Sequence, residues 1–226
     1  MPKVATIILN RNLPIPTDNL YDQIIKHDAK HTDIFILESG SDKALLSKNY
    51  TWHADSPDAM KNGLRYCRGM NYALLKLKNE NKFDIFDFFL LITNDTEFQD
   101  KPFISKLIDI MIEHPRVGLL SPCSSKWGEK DLLLENETKY FWYIHNNAYF
   151  LRKEFIEDIC EKKEPDMMNF LFDGNNFRGY ASESEIIAKG YANDWASAIT
   201  KAVWAEENES YLINKSDTIK MDKFEK

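Results

Sequence analysis

An apolar stretch that runs directly into acidic and amide side chains is the part of this sequence best suited to chemistry. Residues 88–92 are Phe, Phe, Leu, Leu and Ile, and residues 93–97 are Thr, Asn, Asp, Thr and Glu. Hard cations such as Mg²⁺ commonly take one or two carboxylates from a protein and further oxygens from phosphate groups. Asp95 is therefore a candidate metal ligand, with Glu97 as a candidate second carboxylate. The alternative is a strand that ends in a solvated turn.

The elements around this stretch predict how its side chains are held. Five consecutive apolar residues at 88–92 favour a strand that is buried on both faces of a sheet. Over residues 1–120, strand-like and helix-like segments alternate, which predicts an α/β fold: a mostly parallel sheet with helices on both faces. Polar loops also follow the predicted strands at 4–9 and 33–37. Because ligands of such sheets bind beyond the carboxyl ends of the strands, we expect these loops to meet at one site.

The second half of the chain has a different pattern. Aromatic, strand-like segments at 140–145 and 148–151 are separated by two asparagines, and a helix is predicted over 153–160. A loop at 173–180 then leads into a short helix predicted over 182–189. These segments predict a smaller mixed sheet beside the first.

The overall composition excludes several classes of protein. The 226 residues carry a net charge of −7, so no excess of basic side chains is available to neutralise nucleic-acid phosphates. No apolar run reaches the roughly 20 residues of a membrane span, and the N-terminal segment reads as a strand, not as a signal peptide. Three widely spaced cysteines, Cys67, Cys123 and Cys160, indicate neither a disulfide framework nor a zinc site and predict reduced thiols in the cytosol.

Taken together, these motifs resemble the family 2 glycosyltransferases, which have the GT-A fold, and most closely the rhamnosyltransferase-like branch. The resemblance extends over residues 3–205. It implies one GT-A domain at 1–205, with a Rossmann-like nucleotide-binding half at 1–120 and an acceptor half at 121–205. Residues 206–226 are then a polar C-terminal tail.

The resemblance gives nucleotide contacts to the loops after the first two strands. Asn10, Asn12 and Ser39 fall at nucleotide-contacting positions, and Glu38 falls at the acid that holds the base or the ribose in this family. The family usually has Asp where this chain has Glu38. A carboxylate suits the role because it accepts hydrogen bonds from a base imide or a ribose hydroxyl. The alternative for residues 38–42 is a simple polar turn.

A Gly-x-Asn motif, which opens the donor-side helix of the family, is matched by residues 69–71 and ends in Asn71. Arg65 and Arg68 precede it, and a guanidinium group suits a diphosphate. Solvated surface arginines are the alternative. The resemblance therefore adds all three residues to the nucleotide-binding set.

The family's metal motif, Asp-x-Asp or Asn-Asn-Asp, falls on residues 93–95. Asn94 is then a nucleotide contact, and Asp95 is the one acid retained. Its implied role is to bind the Mn²⁺ or Mg²⁺ ion that bridges the donor diphosphate and stabilises the leaving nucleoside diphosphate. The family often has a metal-ligating His after its last strand. Glu206 stands near that position in this chain and is a candidate substitute.

The remaining implied residues belong to the acceptor side. His145 and Asn146 match the acceptor-side loop, and Glu183 matches the catalytic base, with Asp173 as the next candidate base. Trp142, near His145, is a candidate for stacking on a sugar, and packing against the sheet is its alternative. A carboxylate can remove the proton of an acceptor hydroxyl if it lies within hydrogen-bond reach. The alternative for Glu183 is an acid that stabilises the first turn of a helix.

The function implied by the resemblance is transfer of a hexose or deoxyhexose from a nucleotide diphosphate donor, with inversion, to a glycan or glycolipid hydroxyl. The enzyme would be cytoplasmic and in peripheral contact with a membrane-linked acceptor at the inner face of the membrane. The reduced metal motif leaves a second hypothesis open, a nucleotide- or carbohydrate-binding protein with weak or no catalysis. The chain has neither a P-loop nor a Gly-x-Ser-x-Gly motif.

Overall fold

The computed structural model describes residues 2–144, 148–160, 164–177, 179–208 and 210–213. Within these ranges the strands are β1 (Val4–Asn10), β2 (Thr32–Ser39), β3 (Trp52–Ala54), β4 (Phe88–Thr93), β5 (Thr96–Phe98), β6 (Val117–Cys123), β7 (Thr138–Tyr140), β8 (Ala148–Arg152) and β9 (Ala196–Glu207). The helices are α1 (Pro14–Asp28), α2 (Pro57–Asn62), α3 (Arg65–Asn79), α4 (Ile104–Glu113), α5 (Lys153–Ile159), α6 (Ser182–Ala192) and α7 (Ser210–Ile213). Short 3-10 turns occupy Lys43–Leu45, Phe83–Ile85 and Gly128–Asp131.

The described strands form one mixed sheet in the order β3-β2-β1-β4-β8-β6-β9-β5, with β7 also paired to β9. Strands β1, β2, β3, β4, β6 and β9 share one direction, and β5, β7 and β8 run against it. The mostly parallel α/β sheet predicted from the sequence is therefore confirmed. The second half of the chain joins the same sheet through the pairing of β4 with β8.

Helices cover both faces of the sheet, as the alternation of segments predicted. Successive residues of β4 point to opposite faces, so that Phe89 and Leu91 lie in one apolar cluster and Leu90 and Ile92 in the other. The first cluster includes buried residues of α3, α5 and α6, and the second includes buried residues of α1 and α4. Two apolar layers thus hold the sheet rigidly between helices.

Several predicted boundaries differ from the observed ones. Helix α3 begins at Arg65, so that residue and Arg68 lie inside the helix and not ahead of it. The strand predicted at 140–145 ends at Tyr140, and the helix predicted to end at residue 189 runs to Ala192. Strand β9 extends to Glu207, two residues past the predicted end of the domain at 205. No helix in the described ranges combines the length and the apolar composition that a membrane crossing requires.

Candidate functional site

The polar loops that follow β1, β2 and β4 lie side by side at the carboxyl edge of the sheet. The parallel register pairs Asn10 of β1 with Glu38 of β2, and Leu9 of β1 with Thr93 at the end of β4. The side-chain oxygen of Asn10 accepts a hydrogen bond from Nδ2 of Asn94 (2.7 Å). The three strand ends therefore form one continuous polar rim.

Glu38 lies at the centre of this rim and has no exposed surface. Its carboxylate accepts two hydrogen bonds from Nδ2 of Asn10 (3.0 and 2.9 Å), one from Oγ of Ser41 (2.5 Å) and one from the backbone N–H of Ser47 (2.7 Å). Such bonds compensate the desolvation of a buried carboxylate. The predicted contact between Glu38 and a nucleotide stays a prediction, and in this structure the carboxylate orders the loop after β2.

Asn12 and Ser39 also have partners within the rim. Asn12 adopts a left-handed backbone conformation (φ 55°), and its side-chain oxygen accepts from the N–H of Asp42 (2.7 Å). The hydroxyl of Ser39 accepts from the N–H of Leu64 (2.7 Å). Both residues are buried, so they shape the rim, and direct contact with a nucleotide stays a prediction for each.

Asp95, the candidate metal ligand, lies at the tip of the turn between β4 and β5 and is 8% exposed. Its Oδ1 accepts a hydrogen bond from the hydroxyl of Thr93 (2.5 Å), and its backbone carbonyl accepts from the N–H of Asn208 (2.8 Å). Its Oδ2 has no hydrogen-bond partner within the described ranges. Thr93 thus orients one carboxylate oxygen, and the other is the oxygen through which Asp95 would bind a ligand.

Glu97 and Glu206 face each other across β5 and β9, but both carboxylates already have partners. Oε1 of Glu97 accepts from Nδ2 of Asn208 (2.7 Å). The carboxylate of Glu206 accepts from the hydroxyl of Ser124 (2.7 Å) and from the N–H of Ser125 (2.7 Å). In the described part of the chain, no three His, Cys, Asp or Glu residues are grouped to hold a metal ion.

The residues at this edge fit a divalent cation whose coordination is completed by phosphate oxygens. Asp95 offers one carboxylate oxygen, and Mg²⁺-type ions commonly bind with one or two protein carboxylates, water and substrate phosphates. A cation held by protein side chains alone would need more ligands than the described residues bring together.

Three arginines stand at one side of the rim. The guanidinium groups of Arg65 and Arg68 lie 5.5 and 5.1 Å from the ring centroid of Phe177, and Nε of Arg68 donates to the carbonyl of Gly174 (2.6 Å). Burial, and then the charge of Arg65, lower the pKa of Arg11. Arg68 also lies 4.0 Å from the carboxylate of Asp58. A bound anion would relieve the repulsion between Arg11 and Arg65, so this pair suits a diphosphate.

Asn71 has no exposed surface and fastens α3 to the segment that leads to Asp173. Its Nδ2 donates to the carbonyls of Met167 (3.1 Å) and Phe172 (2.7 Å). Its Oδ1 accepts from the N–H groups of Leu171 (3.1 Å) and Phe172 (3.0 Å). The predicted nucleotide contact of Asn71 is untested, and its observed bonds give it a structural role in positioning this segment.

The two acids at the start of α6 have different surroundings. Oε2 of Glu185 accepts from the backbone N–H of Asp173 (3.1 Å). Glu183 lies near Tyr66 and Tyr149, whose buried hydroxyl oxygens have no hydrogen-bond partner among the residues that the structure describes. Burial raises the pKa of each tyrosine, and the nearby charge of Glu183 adds to this effect. Glu183 therefore lies beside two buried hydroxyl groups, whereas Glu185 supports the loop at Asp173.

The acceptor-side predictions are described only in part. Trp142 is 78% exposed, and its ring centroid lies 6.1 Å from that of Tyr143. His145 and Asn146 lie outside the described residues. An exposed indole is available for stacking, but no contact ties Trp142 to Asp95.

Comparison with solved structures identifies the architecture. The chain superposes on GalNAc-T7 with UDP, GalNAc and Mn²⁺ (TM-score 0.68, 10% identity, 92% of this chain and 44% of that one). It also superposes on the mannosyltransferase PcManGT from Pyrobaculum calidifontis in complex with GDP-Man and Mn²⁺ (TM-score 0.62, 13% identity, 98% of this chain and 65% of that one). A third match is S. aureus TarS (TM-score 0.61, 12% identity, 96% of this chain and 39% of that one). The chain has the GT-A fold.

At these identities the likeness shows the fold alone, and the chain spans less than two thirds of the length of each of these structures. No protein-family model matches the sequence, and no curated protein matches it. The GT-A fold implied by the resemblance is thus confirmed, whereas family 2 and its rhamnosyltransferase-like branch stay predictions.

Sequence reasoning missed three residues that shape the site. Arg11 belongs to the basic cluster with Arg65 and Arg68. It directly follows Asn10 in the first polar loop, but it was not predicted as a site residue. Thr93 orients Asp95, and Asn208 links the backbone of Asp95 to the side chain of Glu97. Arg11 and Thr93 could have been found from the sequence, because each is adjacent to a predicted site residue. Asn208 gives no local signal, because its role depends on the pairing of β5 with β9.

Proposed function

We propose that this protein is a glycosyltransferase that transfers a hexose or deoxyhexose, with inversion, from a nucleotide diphosphate donor to a glycan or glycolipid hydroxyl. The proposal includes membership of family 2 and of its rhamnosyltransferase-like branch. The observation that carries it is the position of Asp95, with one available carboxylate oxygen, at the edge of a GT-A sheet where the polar loops of β1 and β2 also end.

The donor would lie along this rim, with its diphosphate between Asp95 and the arginines. Arg11, Arg65 and Arg68 supply positive charge on one side of the rim. A divalent cation, Mn²⁺ or Mg²⁺, bound by Asp95 and the donor phosphates would stabilise the negative charge of the leaving nucleoside diphosphate. GalNAc-T7 and PcManGT, which share the fold, were solved with UDP or GDP-Man together with Mn²⁺, which supports a nucleotide donor and a divalent cation here.

The transfer itself requires one proton to move. The acceptor oxygen forms a bond to the anomeric carbon as the bond from that carbon to the phosphate oxygen breaks. Glu183, at the start of α6, would accept the proton of the acceptor hydroxyl, and the nucleoside diphosphate would leave with the bonding electrons. Asp173 is the second candidate for this base.

The acceptor and its location are part of the same proposal. Trp142, with His145 and Asn146, would contact the acceptor, and an exposed indole is suited to one face of a sugar ring. We place the enzyme in the cytoplasm, with peripheral contact to a membrane-linked acceptor at the inner face of the membrane.

Metal-dependent binding of a nucleoside diphosphate tests the proposal. We expect UDP or GDP with Mn²⁺ to raise the melting temperature of the protein, because a ligand that binds only the folded state stabilises it. Asp95→Asn should remove most of this shift. Glu97→Gln is the matched control, since Glu97 is an exposed acid two residues away with a partner of its own.

Two results would contradict the proposal. One is a melting temperature that no nucleoside diphosphate raises, with or without Mn²⁺. The other is an equal shift in excess chelator, which would remove the metal role from Asp95. A nucleotide-dependent shift without any sugar transfer would favour the second hypothesis, a binding protein with the GT-A fold.

A further inference from the structure

A cleft of about 330 Å³ lies at the opposite edge of the sheet from the polar rim. It opens where β6 and β9 begin, beside the register pair of Val117 and Ala196. The lining residues are Arg116, Tyr140, Tyr191, Asp194, Trp195 and Ala196. Its volume falls within the range of small-molecule sites, roughly 300–1,000 Å³.

Aromatic rings from three elements form the walls of this cleft. Tyr140 of β7 is 58% exposed, and its hydroxyl lies 3.3 Å from Nδ1 of His114. Tyr191, in the last turn of α6, is 48% exposed. Two contacts restrain the ring of Trp195: its Nε1 donates to the carboxylate of Asp158 (2.9 Å), and the ring packs edge-on against Phe155. The rings of Tyr140 and Trp195 are therefore held in place before a ligand arrives.

Polar groups of both charges lie beside these rings. Nη2 of Arg116 donates to the carbonyl of Asp194 (3.1 Å), and the carbonyl of Arg116 accepts from the N–H of Ala196 (2.8 Å). The other guanidinium N–H groups of Arg116 and the carboxylate of Asp194 have no partner among the residues that the structure describes. The lining residues include one cation and one anion, a balance that disfavours a phosphorylated ligand.

We propose that this cleft binds a segment of an uncharged oligosaccharide, at a site separate from the donor rim. A sugar ring has a face of C–H groups and a rim of hydroxyls. The exposed rings of Tyr140 and Tyr191 and the half-buried ring of Trp195 suit the C–H face, and Arg116 and Asp194 suit the hydroxyls as donor and acceptor.

The distance between the two sites defines what this cleft does. Strand β9 runs from Ala196 at the cleft to Glu207 beside the turn that carries Asp95. At about 3.3 Å per residue, its eleven steps span roughly 35 Å. A bound segment therefore cannot be the reacting end of the acceptor. It would retain a long glycan while that end reacts, a role that rests on the proposed function, whereas binding at the cleft does not.

Calorimetric titration with cellohexaose, maltohexaose and chitohexaose tests the site. We expect at least one of these probes to bind saturably and to change the fluorescence of Trp195. Tyr191→Ala removes one wall and should weaken binding about five- to tenfold, the loss of one aromatic contact. Tyr50→Ala is the matched control, because Tyr50 is equally exposed at 48% and lies outside the cleft.

Further measurements make the result specific to the cleft. Trp195→Phe should abolish the fluorescence change and keep measurable binding. The melting-temperature shift with UDP or GDP and Mn²⁺ should be the same in Tyr191→Ala and wild type, so failure here and failure of the proposed function can be told apart. No binding of any of the three probes, or equal affinity in Tyr191→Ala and wild type, would overturn the site.

Discussion

Glu183 and Glu185 share a sequence motif and a helix, yet their contacts separate their roles. The two residues are two positions apart on α6, so their side chains point about 200° away from each other. Glu185 is already engaged, since its oxygens accept from the N–H of Asp173 (3.1 Å) and from Nζ of Lys189 (2.7 Å). Glu183 borders the buried hydroxyls of two tyrosines. Of the two acids, Glu183 is therefore the one that we propose as the base.

Replacing each acid by its amide tests this distinction. We expect Glu183→Gln to lower the rate of sugar transfer by at least about 100-fold, because a general base typically contributes 10²–10⁴-fold. Donor affinity should stay near wild type, since the base contacts the acceptor. Steady-state kinetics and calorimetry measure the two quantities.

Glu185→Gln is the control for that measurement. It keeps the shape of the side chain and should reduce transfer far less. Activity lost in Glu185→Gln and retained in Glu183→Gln would exchange the roles of the two acids. Equal transfer by both variants and wild type would move the base to Asp173, and no transfer by any of the three would exclude catalysis.

The sequence predicted which residues gather at the rim more successfully than it predicted what each one contacts. Residue type and strand position placed Asn10, Glu38 and Asn94 at one edge, and the register brings them into hydrogen-bond contact. The partners of Asn71, in contrast, lie about 100 residues away along the chain. A motif of three residues carries no information about such a distant segment.

At the scale of elements, the carboxylate of Glu38 connects three separate segments of the chain through hydrogen bonds. Its carboxylate binds the end of β1 through Asn10, the turn after β2 through Ser41, and the segment before β3 through Ser47. Ser47 in turn donates from its hydroxyl to Asp18 of α1 (2.6 Å). The conformation of the first two polar loops therefore depends on one buried charge.

Removing that charge should destabilise the whole fold. Glu38→Ala leaves an amide, a hydroxyl and a backbone N–H buried without their acceptor, and we expect the free energy of unfolding to fall by about 3–5 kcal/mol. Glu38→Gln, which keeps an acceptor oxygen, should lose less. Urea unfolding measures both variants, with Asp42→Ala as the control because Asp42 is exposed in the same loop. Equal stability of Glu38→Ala and wild type would show that these bonds are not needed.

The elements that local pattern failed to predict are those whose formation depends on distant pairing. Periodicity and apolar runs located β1, β2 and β4, because each is buried over most of its length. Strand β7 has only three residues and none that is buried, and it exists because it pairs with β9 about 60 residues later. Strand β9 itself pairs with β5, β6 and β7 along different parts of its length. Such a strand is specified by its neighbours.

At the scale of the whole molecule, titratable groups are buried in the apolar layer between the sheet and α3. Burial, and then the charge of Glu185, raise the pKa of the Cys67 thiol to about 12. Burial also raises the pKa of Tyr66 and Tyr149, whose rings meet edge-on at 6.1 Å. All three groups favour their protonated, neutral forms in the folded protein. The fold therefore binds protons at alkaline pH that an unfolded chain would release.

This proton binding predicts a loss of stability at high pH. An unfolded thiol titrates near pH 9 and the folded one near pH 12, so stability from Cys67 is present below pH 9 and is lost as pH rises toward 12. Each group that releases its proton only on unfolding should lower the free energy of unfolding by about 1.4 kcal/mol per pH unit. The two tyrosines add to the slope above pH 10.

Cys67→Ala isolates the contribution of the thiol. The variant is expected to be less stable than wild type at pH 7, because it leaves a small cavity. Between pH 9 and 10, however, its free energy of unfolding should fall less steeply with pH than that of wild type. The difference between the two slopes should correspond to about one proton. Urea unfolding at half-unit intervals of pH gives both slopes, and comparing slopes removes the constant cost of the cavity. Identical slopes would show that the thiol ionises in the folded protein, and that the layer under α3 admits water.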